Sequence, residues 1–309
     1  MSRPRARPGR RTRRGDEPGG PGVILLTGVT GTVGGLVARR LATDEPVRLL
    51  ARDPRRLTAL TGPRTEAVGG DFTDRASLAT ALTGVRAAFL VTNDPLTHAH
   101  DENFVAAARA AGVRHVVKLS ARAVDEPDAT DLVTRWQRGN EDLIRSSGLG
   151  WTFLRPRAFM SNTLGWARSV REEGVVRVFG ASSPNASVDP RDIADAAALC
   201  LTDGEPTARA LALTGPAAIS PVEQVAVLSR LLARPVRLEE LTWGQARSRL
   251  LTRHPAPVAD ALMESAVRQR AGAKGEVDPT LATLLGRPAR DYASWAADHR
   301  SAFVAGRGT

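Results

Sequence analysis

The chain holds a single cysteine among its 309 residues, which excludes an internal disulfide and suits a reducing cytoplasm. Cys200 sits in the apolar run 196–201 and reads as a small core residue, not as a nucleophile. No apolar run is long enough to span a bilayer, so no membrane role is expected. The acyl-transfer elbow, C-x-x-C, H-E-x-x-H and the Walker-type lysine motif are all missing, and the chemistries they serve go with them. Histidine is scarce, at five residues. His98-Ala99-His100-Asp101 could offer three metal donors, but no further histidine cluster supports them. A structural or solvated role is expected there, and no metal. There is no internal repeat.

What the chain has is a hydrophobic fraction of 42%, enough for one large domain or a domain with a smaller lobe. Its net charge of +10 is unevenly spread. Residues 1–22 carry Arg3, Arg5, Arg7, Arg10, Arg11, Arg13 and Arg14 against Asp16 and Glu17, with many prolines and glycines. Such a segment cannot bury enough surface to fold and reads as a disordered basic tail. It lacks the apolar centre of a signal peptide. Without stacking aromatics it is a poor nucleic-acid arm, so a solvated tail or an upstream start is the expectation.

From Val23 onward, apolar runs alternate with helical patterns. Val23-Ile24-Leu25-Leu26 runs into Thr27-Gly28-Val29-Thr30-Gly31-Thr32-Val33-Gly34, after which Val33, Leu36, Val37 and Leu41 recur at helical spacing. This is a buried strand, a tight loop and an amphipathic helix. Glycines let the backbone approach a pyrophosphate, and the helix N-terminus supplies N–H groups and partial positive charge. The spacing is G-x-x-G-x-x-G, a variant of the standard dinucleotide fingerprint.

Further strands are expected at 47–51, ending near 69–71, at 87–92, at 115–120 and at 151–154. Helices are expected from Pro54, capped by Asp53; after Asp74, with Leu78 and Leu82 facing inward; and over 102–111. Later come a helix over 190–201, where Asp189 and Asp192 suggest a capping box, a strand at 211–213 and a helix at 222–232. Strands repeatedly separated by helices give an α/β, doubly wound parallel sheet of Rossmann type. Residues 23–156 form the dinucleotide-binding domain. Residues 157–309 form mainly a small, mixed C-terminal substrate lobe, with some segments returning to the core. Ligands in such sheets sit outside the C-terminal strand ends. That rule gathers residues 28–34, Arg52, Asp71, Thr92, Asn93 and Ser120 into one cleft.

The end of the second strand bears on the cofactor. An acidic side chain there accepts hydrogen bonds from the ribose of NAD. Here Arg52 comes first, followed by Asp53, Arg55 and Arg56. Asp53 already has a capping job, and a guanidinium attracts a 2′-phosphate through charge-assisted bonds. NADP(H) is therefore favoured over NAD(H).

Taken in order, these blocks resemble the NmrA-like family of atypical short-chain dehydrogenases/reductases. Residues 27–34 match its Thr-Gly-x-Thr-Gly-x-x-Gly opening. Residues 47–54, the Gly70-Asp71-Phe72-Thr73-Asp74 region, 147–156, Phe159-Met160-Ser161-Asn162, 188–194 and 213–216 resemble its later blocks. The resemblance runs from about residue 23 to the C-terminus. It implies that Gly28, Thr30, Gly31, Thr32, Val33 and Gly34 hold the pyrophosphate and that Arg52 meets the 2′-phosphate. Asp71 and Phe72 would lie near adenine, and Thr92, Asn93 and Pro95 would border the adenosine and ribose. Ser120 and Pro156 would complete the cofactor cleft.

Tyrosine-dependent members of the wider superfamily pass a proton through a Tyr-x-x-x-Lys pair. The corresponding segment here is Trp136-Gln137-Arg138-Gly139-Asn140-Glu141, with Gln137 where many relatives place histidine. The only tyrosine, Tyr292, lies far away. Ser120, Gln137 and Glu141 are thus weak catalytic candidates, and Glu141 is read first as an ion pair with Arg138 or Arg145. Hydride transfer to a quinone or related conjugated carbonyl survives this loss, because the cofactor carries the hydride and solvent can supply the proton. Phe159, Met160, Asn162 and Trp166 could line an acceptor pocket or simply pack between lobes. The alternative is a non-catalytic NAD(P)-sensing regulator acting through a protein partner. Otherwise the partner expected is a small-molecule acceptor.

Overall fold

The computed structural model describes residues 22–202 and 208–304. The arginine-rich tail lies outside the described residues apart from Gly22. The chain runs β1 (Val23–Leu26), α1 (Thr32–Leu41), β2 (Val47–Ala51), a 3-10 turn (Pro54–Leu60), β3 (Thr65–Gly69), α2 (Arg75–Leu82), β4 (Val85–Leu90), α3 (Ala99–Ala110), β5 (His115–Leu119), α4 (Leu132–Ser146) and β6 (Gly150–Pro156). Then come α5 (Ala167–Glu173), β7 (Val175–Val178), α6 (Pro190–Thr202), β8 (Arg209–Leu213), α7 (Pro221–Leu232), β9 (Arg237–Glu240), α8 (Trp243–Leu251), α9 (Ala256–Arg270), α10 (Thr280–Leu285) and α11 (Tyr292–Asp298).

Seven strands form one sheet in the order β3-β2-β1-β4-β5-β6-β8, every pair parallel. This is the doubly wound arrangement the alternation implies. Side chains on successive strand residues point to opposite faces, and the core divides accordingly. Ile24, Leu26, Leu49, Phe89, Val117 and Leu154 pack with Val37 of α1 and Ile193 and Ala197 of α6. Leu25, Leu50, Leu90, Val116 and Phe153 pack with Leu78 of α2, Phe104 of α3 and Ile144 of α4. Cys200 lies fully buried in the first of these clusters. A third cluster joins Met160, Val170, Val176, Val225, Leu228, Tyr292 and Trp295 beside the two-stranded β7–β9 pair.

Local capping follows the side-chain chemistry. Asp53 accepts from Arg55 N at 3.1 Å and Asp74 from Ala76 N at 2.9 Å. Leu78 and Leu82 are both buried. Three local readings need correction. The strand expected at 87–92 ends at Leu90, and the helix expected from 102 begins at Ala99. The capping box at Asp189 and Asp192 does not form as expected. Asp189 caps, accepting from Arg191 N at 2.8 Å. The buried Asp192 carboxylate is drawn instead to Arg287 and Arg290, because two guanidiniums compensate its charge better than one backbone N–H.

Candidate functional site: a glycine-lined cleft and a buried ion network

The β1–α1 loop has the geometry of a backbone cradle. Gly28 sits at φ +64°, a left-handed conformation, and a side chain there would meet Val91 at 2.8 Å. At Gly34 a Cβ would lie 2.3 Å from the Gly28 carbonyl oxygen, so α1 can approach the loop only through glycine. Gly31 caps α1 without a side-chain hydrogen bond to its N–H groups, which leaves those donors facing outward. Thr30, Gly31 and Thr32 are exposed on the rim, while Val33 and Gly34 are buried beneath it.

A cavity of about 830 Å³ opens over this loop, lined by Gly28, Thr30, Gly31, Arg52, Arg56, Asp71, Phe72, Asn93 and His100, among others. It spans the C-terminal ends of β1 to β4, where ligands of such sheets bind. Phe72 stacks on His100 with ring centroids 5.8 Å apart. Asp71 accepts from Thr73 N and Oγ1, each at 2.8 Å. Those bonds, from the backbone first, hold its carboxyl below the usual range. His100, considered from sequence only as a metal donor, is a wall of this cleft. Its place in the first turn of the helix after β4 is the signal that locates it. Among the described residues no group of three or more His, Cys, Asp or Glu could hold a metal.

The three arginines after β2 divide their work. Arg55 is held by Asp53, with Nε at 2.9 Å and Nη2 at 3.2 Å from its oxygens. Asp53 is thereby kept ionised, its carboxyl lowered chiefly by the Arg55 side-chain bond. Arg52 and Arg56 instead border the cavity.

Beyond β4 the expected residues sink inward. Thr92 is buried and accepts from Lys118 Nζ at 3.1 Å. Lys118 is fully buried, pairs with Asp101 at 2.8 Å and lies 5.5 Å from the Trp136 ring centre. Ser120 donates to Glu141 Oε1 at 2.6 Å. Glu141 has no exposed surface. It also binds Arg145 Nη2 at 2.7 Å and Arg155 Nε at 2.9 Å. Of the two partners expected for Glu141, Arg145 is found and Arg138 is not. Arg138 donates to the carbonyls of Val124, Ala129 and Glu126, clamping the loop after β5. Arg155, also bonded to Asp125, was missed, because its pairing with Glu141 is tertiary. Gln137 lies on the same helix, nearly buried, and cannot donate a proton to a reacting atom. Pro156 is buried at the end of β6, beside Leu213.

The four pocket candidates separate. Met160 lines a small apolar cavity of about 170 Å³ with Ser187, Ile219, Val227 and Tyr292. Trp166 packs on the same cluster, Phe159 packs on the sheet core, and Asn162 is exposed. Tyr292 is buried, and that burial pushes its phenol up to about 12, far from a neutral-pH proton donor. No helix among the described residues is long and apolar enough to cross a membrane.

Comparisons with known proteins agree with this geometry. A family described as NAD(P)H-binding matches residues 28–204. A (4-alkanoyl-5-oxo-2,5-dihydrofuran-3-yl)methyl phosphate reductase from Streptomyces griseus is 55% identical over 282 residues, 91% of this chain and 99% of the relative. An NAD(P)H azoreductase from Xenophilus azovorans is 34% identical over 92% of this chain and its own full length. An NADPH-dependent quinone oxidoreductase from Escherichia coli, solved with NADPH, is 25% identical and superposes with a TM-score of 0.79 over 90% of this chain and 99% of its own.

Proposed function

Because the chain belongs to the NAD(P)H-binding family, as an NmrA-like atypical short-chain dehydrogenase/reductase and an NAD(P)H-dependent oxidoreductase acting on a small molecule, we propose that it uses NADPH to reduce the carbon–carbon double bond of a conjugated lactone carrying a phosphomonoester. The observation that carries the acceptor is the 55% identity to a reductase of that substrate class across nearly the whole of both chains. A quinone is the second acceptor class, motivated by the Escherichia coli relative.

The cleft fits the cofactor. The loop from Gly28 to Gly34 is so closely packed that a Cβ at Gly28 or Gly34 would meet Val91 or the Gly28 carbonyl, Arg52 and Arg56 offer charge for a 2′-phosphate, and Asp53 is bonded to Arg55. Asp53 also stands on the cavity wall, but its bonds to Arg55 leave its carboxylate less free to accept from a ribose. Phe72 and His100 supply flat faces for adenine. Bound there, NADPH supplies a hydride.

The acceptor explains the missing acid. In the substrate class named for the relative, the double bond is conjugated to both the lactone carbonyl and the alkanoyl carbonyl. Hydride addition at the ring carbon bearing the phosphate-esterified hydroxymethyl group moves the electron pair onto the neighbouring carbon, where both carbonyls delocalise it. Such a dicarbonyl enolate forms readily near neutral pH and takes its proton from water. The protein is then required to orient the ring and to exclude competing reactions, not to donate a proton. Gln137 in place of an acid, Glu141 locked in ion pairs and a phenol at about 12 are compatible with that chemistry. The test is loss of NADPH absorbance with a synthetic alkanoyl-butenolide phosphate beside a panel of quinones. Turnover of the lactone with kcat/KM well above every quinone is expected. NADPH binding with no oxidation by either class would overturn the proposal.

A further inference from the structure

The 43 basic residues include only two lysines, Lys118 and Lys274. Lys118 is spent on Asp101. Lys274, in the segment after α9, donates to Ser265 Oγ at 2.8 Å and, among the described residues, pairs with no carboxylate. Its backbone carbonyl accepts from Ala186 N at 2.9 Å, which ties it to the run beside the loop that follows β6. That loop opens with Arg157, which is buried and bonded through Nη1 to Glu126, while its Nε has no acceptor. Arg268 reaches Asp131 through Nη2 at 2.6 Å. Its Nε stands 3.7 Å from Glu126 and makes no hydrogen bond.

Three cations therefore share two carboxylates: Glu126 takes Arg157 through Oε1 while its Oε2, facing Arg268, makes no hydrogen bond among the described residues, and Asp131 takes Arg268. Asp131 also accepts from Thr134 N and Oγ1. Burial first, then the Arg268 charge, brings Lys274 down to about 8, with Glu126 and Asp131 acting the other way. Arg268 faces a second cavity, about 650 Å³ in volume, with Arg247 and the carboxylates of Asp128, Asp260 and Glu264 also on its wall. The cluster lies beyond the C-terminal ends of β5 and β6, next along the sheet from the glycine-lined cleft. Two buried guanidinium N–H groups without acceptors among the described residues, and an ammonium held only by a hydroxyl, make a donor set for a dianion.

We propose that Lys274, Arg157 and Arg268 form a subsite for the phosphomonoester of the acceptor, which would set specificity for phosphorylated over free lactones. This rests on the conjugated-lactone reading and extends it to how that substrate is recognised. Lys274→Met keeps the length of the stem and removes the charge. Its KM for the lactone phosphate should rise roughly tenfold to a hundredfold. Turnover of the dephosphorylated lactone and affinity for NADPH should stay as in the wild type. A variant that changes both lactones equally, or neither, overturns the subsite.

A second measurement uses the wild-type chain and needs no turnover. Lys118 is buried, so amine acylation read by peptide mass spectrometry reports on Lys274. A simple alkyl phosphate should slow it severalfold, and inorganic phosphate should slow it less. No protection by the alkyl phosphate overturns the proposal, as does stronger protection by inorganic phosphate. Protection of Lys274 without any lactone-driven NADPH oxidation would keep the subsite and remove the lactone reading, so the two can fail separately.

Discussion

Arg52→Ala should weaken NADPH and leave NADH nearly untouched. Arg52 lies at the C-terminal end of β2, exposed on the wall of the glycine-lined cavity. A charge-assisted bond to phosphate is worth about 1.5–3 kcal/mol in mutational series. Solvent on one side of this guanidinium argues for the low end of that range or somewhat less, about 1–2 kcal/mol. That converts to roughly a 5-fold to 30-fold rise in Kd for NADPH. Arg56 borders the same cavity, so the double variant should cost less than the sum of the single ones, since two groups on one phosphate are not independent. Salt gives a second signature. Between low and high ionic strength the wild type should lose NADPH affinity faster than NADH affinity, and Arg52→Ala should narrow that gap. Fluorescence titration of both reduced cofactors at two salt concentrations measures all of this. Equal losses for NADPH and NADH, or none for either, would refute a 2′-phosphate contact and with it the cofactor preference.

Other outcomes follow from the same geometry. Gly34→Ala places a Cβ 2.3 Å from the Gly28 oxygen; overpacking of this kind costs about 1–3 kcal/mol, and a lowered Tm together with loss of NADPH binding is expected, whereas wild-type values for both would show that the loop yields. Glu141→Gln leaves Arg145 and Arg155 without their shared carboxylate; removing one side of a buried ion pair costs about 3–5 kcal/mol, which urea unfolding should register, and a variant as stable as the wild type would show the network to be dispensable. Tyr292→Phe should leave NADPH oxidation unchanged between pH 6 and about 9, because the phenol is held near 12 by burial; a large fall in kcat would make this tyrosine part of the chemistry. Asp71→Asn should cost stability at neutral pH: the folded carboxyl is held below its usual range, chiefly by the Thr73 backbone N–H. That contribution is present above about pH 4, the unfolded value, and is lost as pH falls through the lower folded one, so the two proteins should converge in strong acid, and a constant gap at every pH would refute the assignment.

The local features of the fold could be read from the sequence, and the distant pairings could not. Val47–Ala51 declared itself as a strand because a short, mostly apolar run of five residues meets Arg52 and a Pro-opened turn. Asp53 and Asp74 declared themselves as caps because a cap is settled within three residues. The same logic failed at Asp192, whose partners Arg287 and Arg290 stand 95 and 98 residues away. It failed again at Arg138, where helical spacing suggested Glu141 but the loop carbonyls after β5 offered more acceptors. In a chain this rich in arginine, a carboxylate has many local candidates, and only packing decides among them. The glycine-lined cleft was legible for a related reason. Gly28, Gly31, Arg52, Asp71 and Asn93 each lie in the loop that follows a strand, so topology alone brings them together. Thr92 and Ser120 obey the same rule but face inward, onto Lys118 and Glu141.

That inward turn has a chemical meaning. In a site that passes protons, the hydroxyl at the end of β5 must point at the substrate and its partner must titrate near neutrality. Here the hydroxyl of Ser120 is committed to Glu141, and Glu141 is held by two guanidiniums. Arg155 joins this carboxylate to Asp125, and Arg138 fastens the same loop by its carbonyls. Residues that occupy the positions of a proton relay thus fix the loop after β5, which also carries Glu126 and runs to Asp131, the two carboxylates of the Lys274 cluster. Positional precision of this kind raises the rate of a hydride transfer, where the alignment of donor and acceptor carbons matters more than any acid. An acceptor whose enolate is stabilised by its own two carbonyls makes that exchange of roles tolerable, and an isolated ketone, which must be protonated as it is reduced, does not.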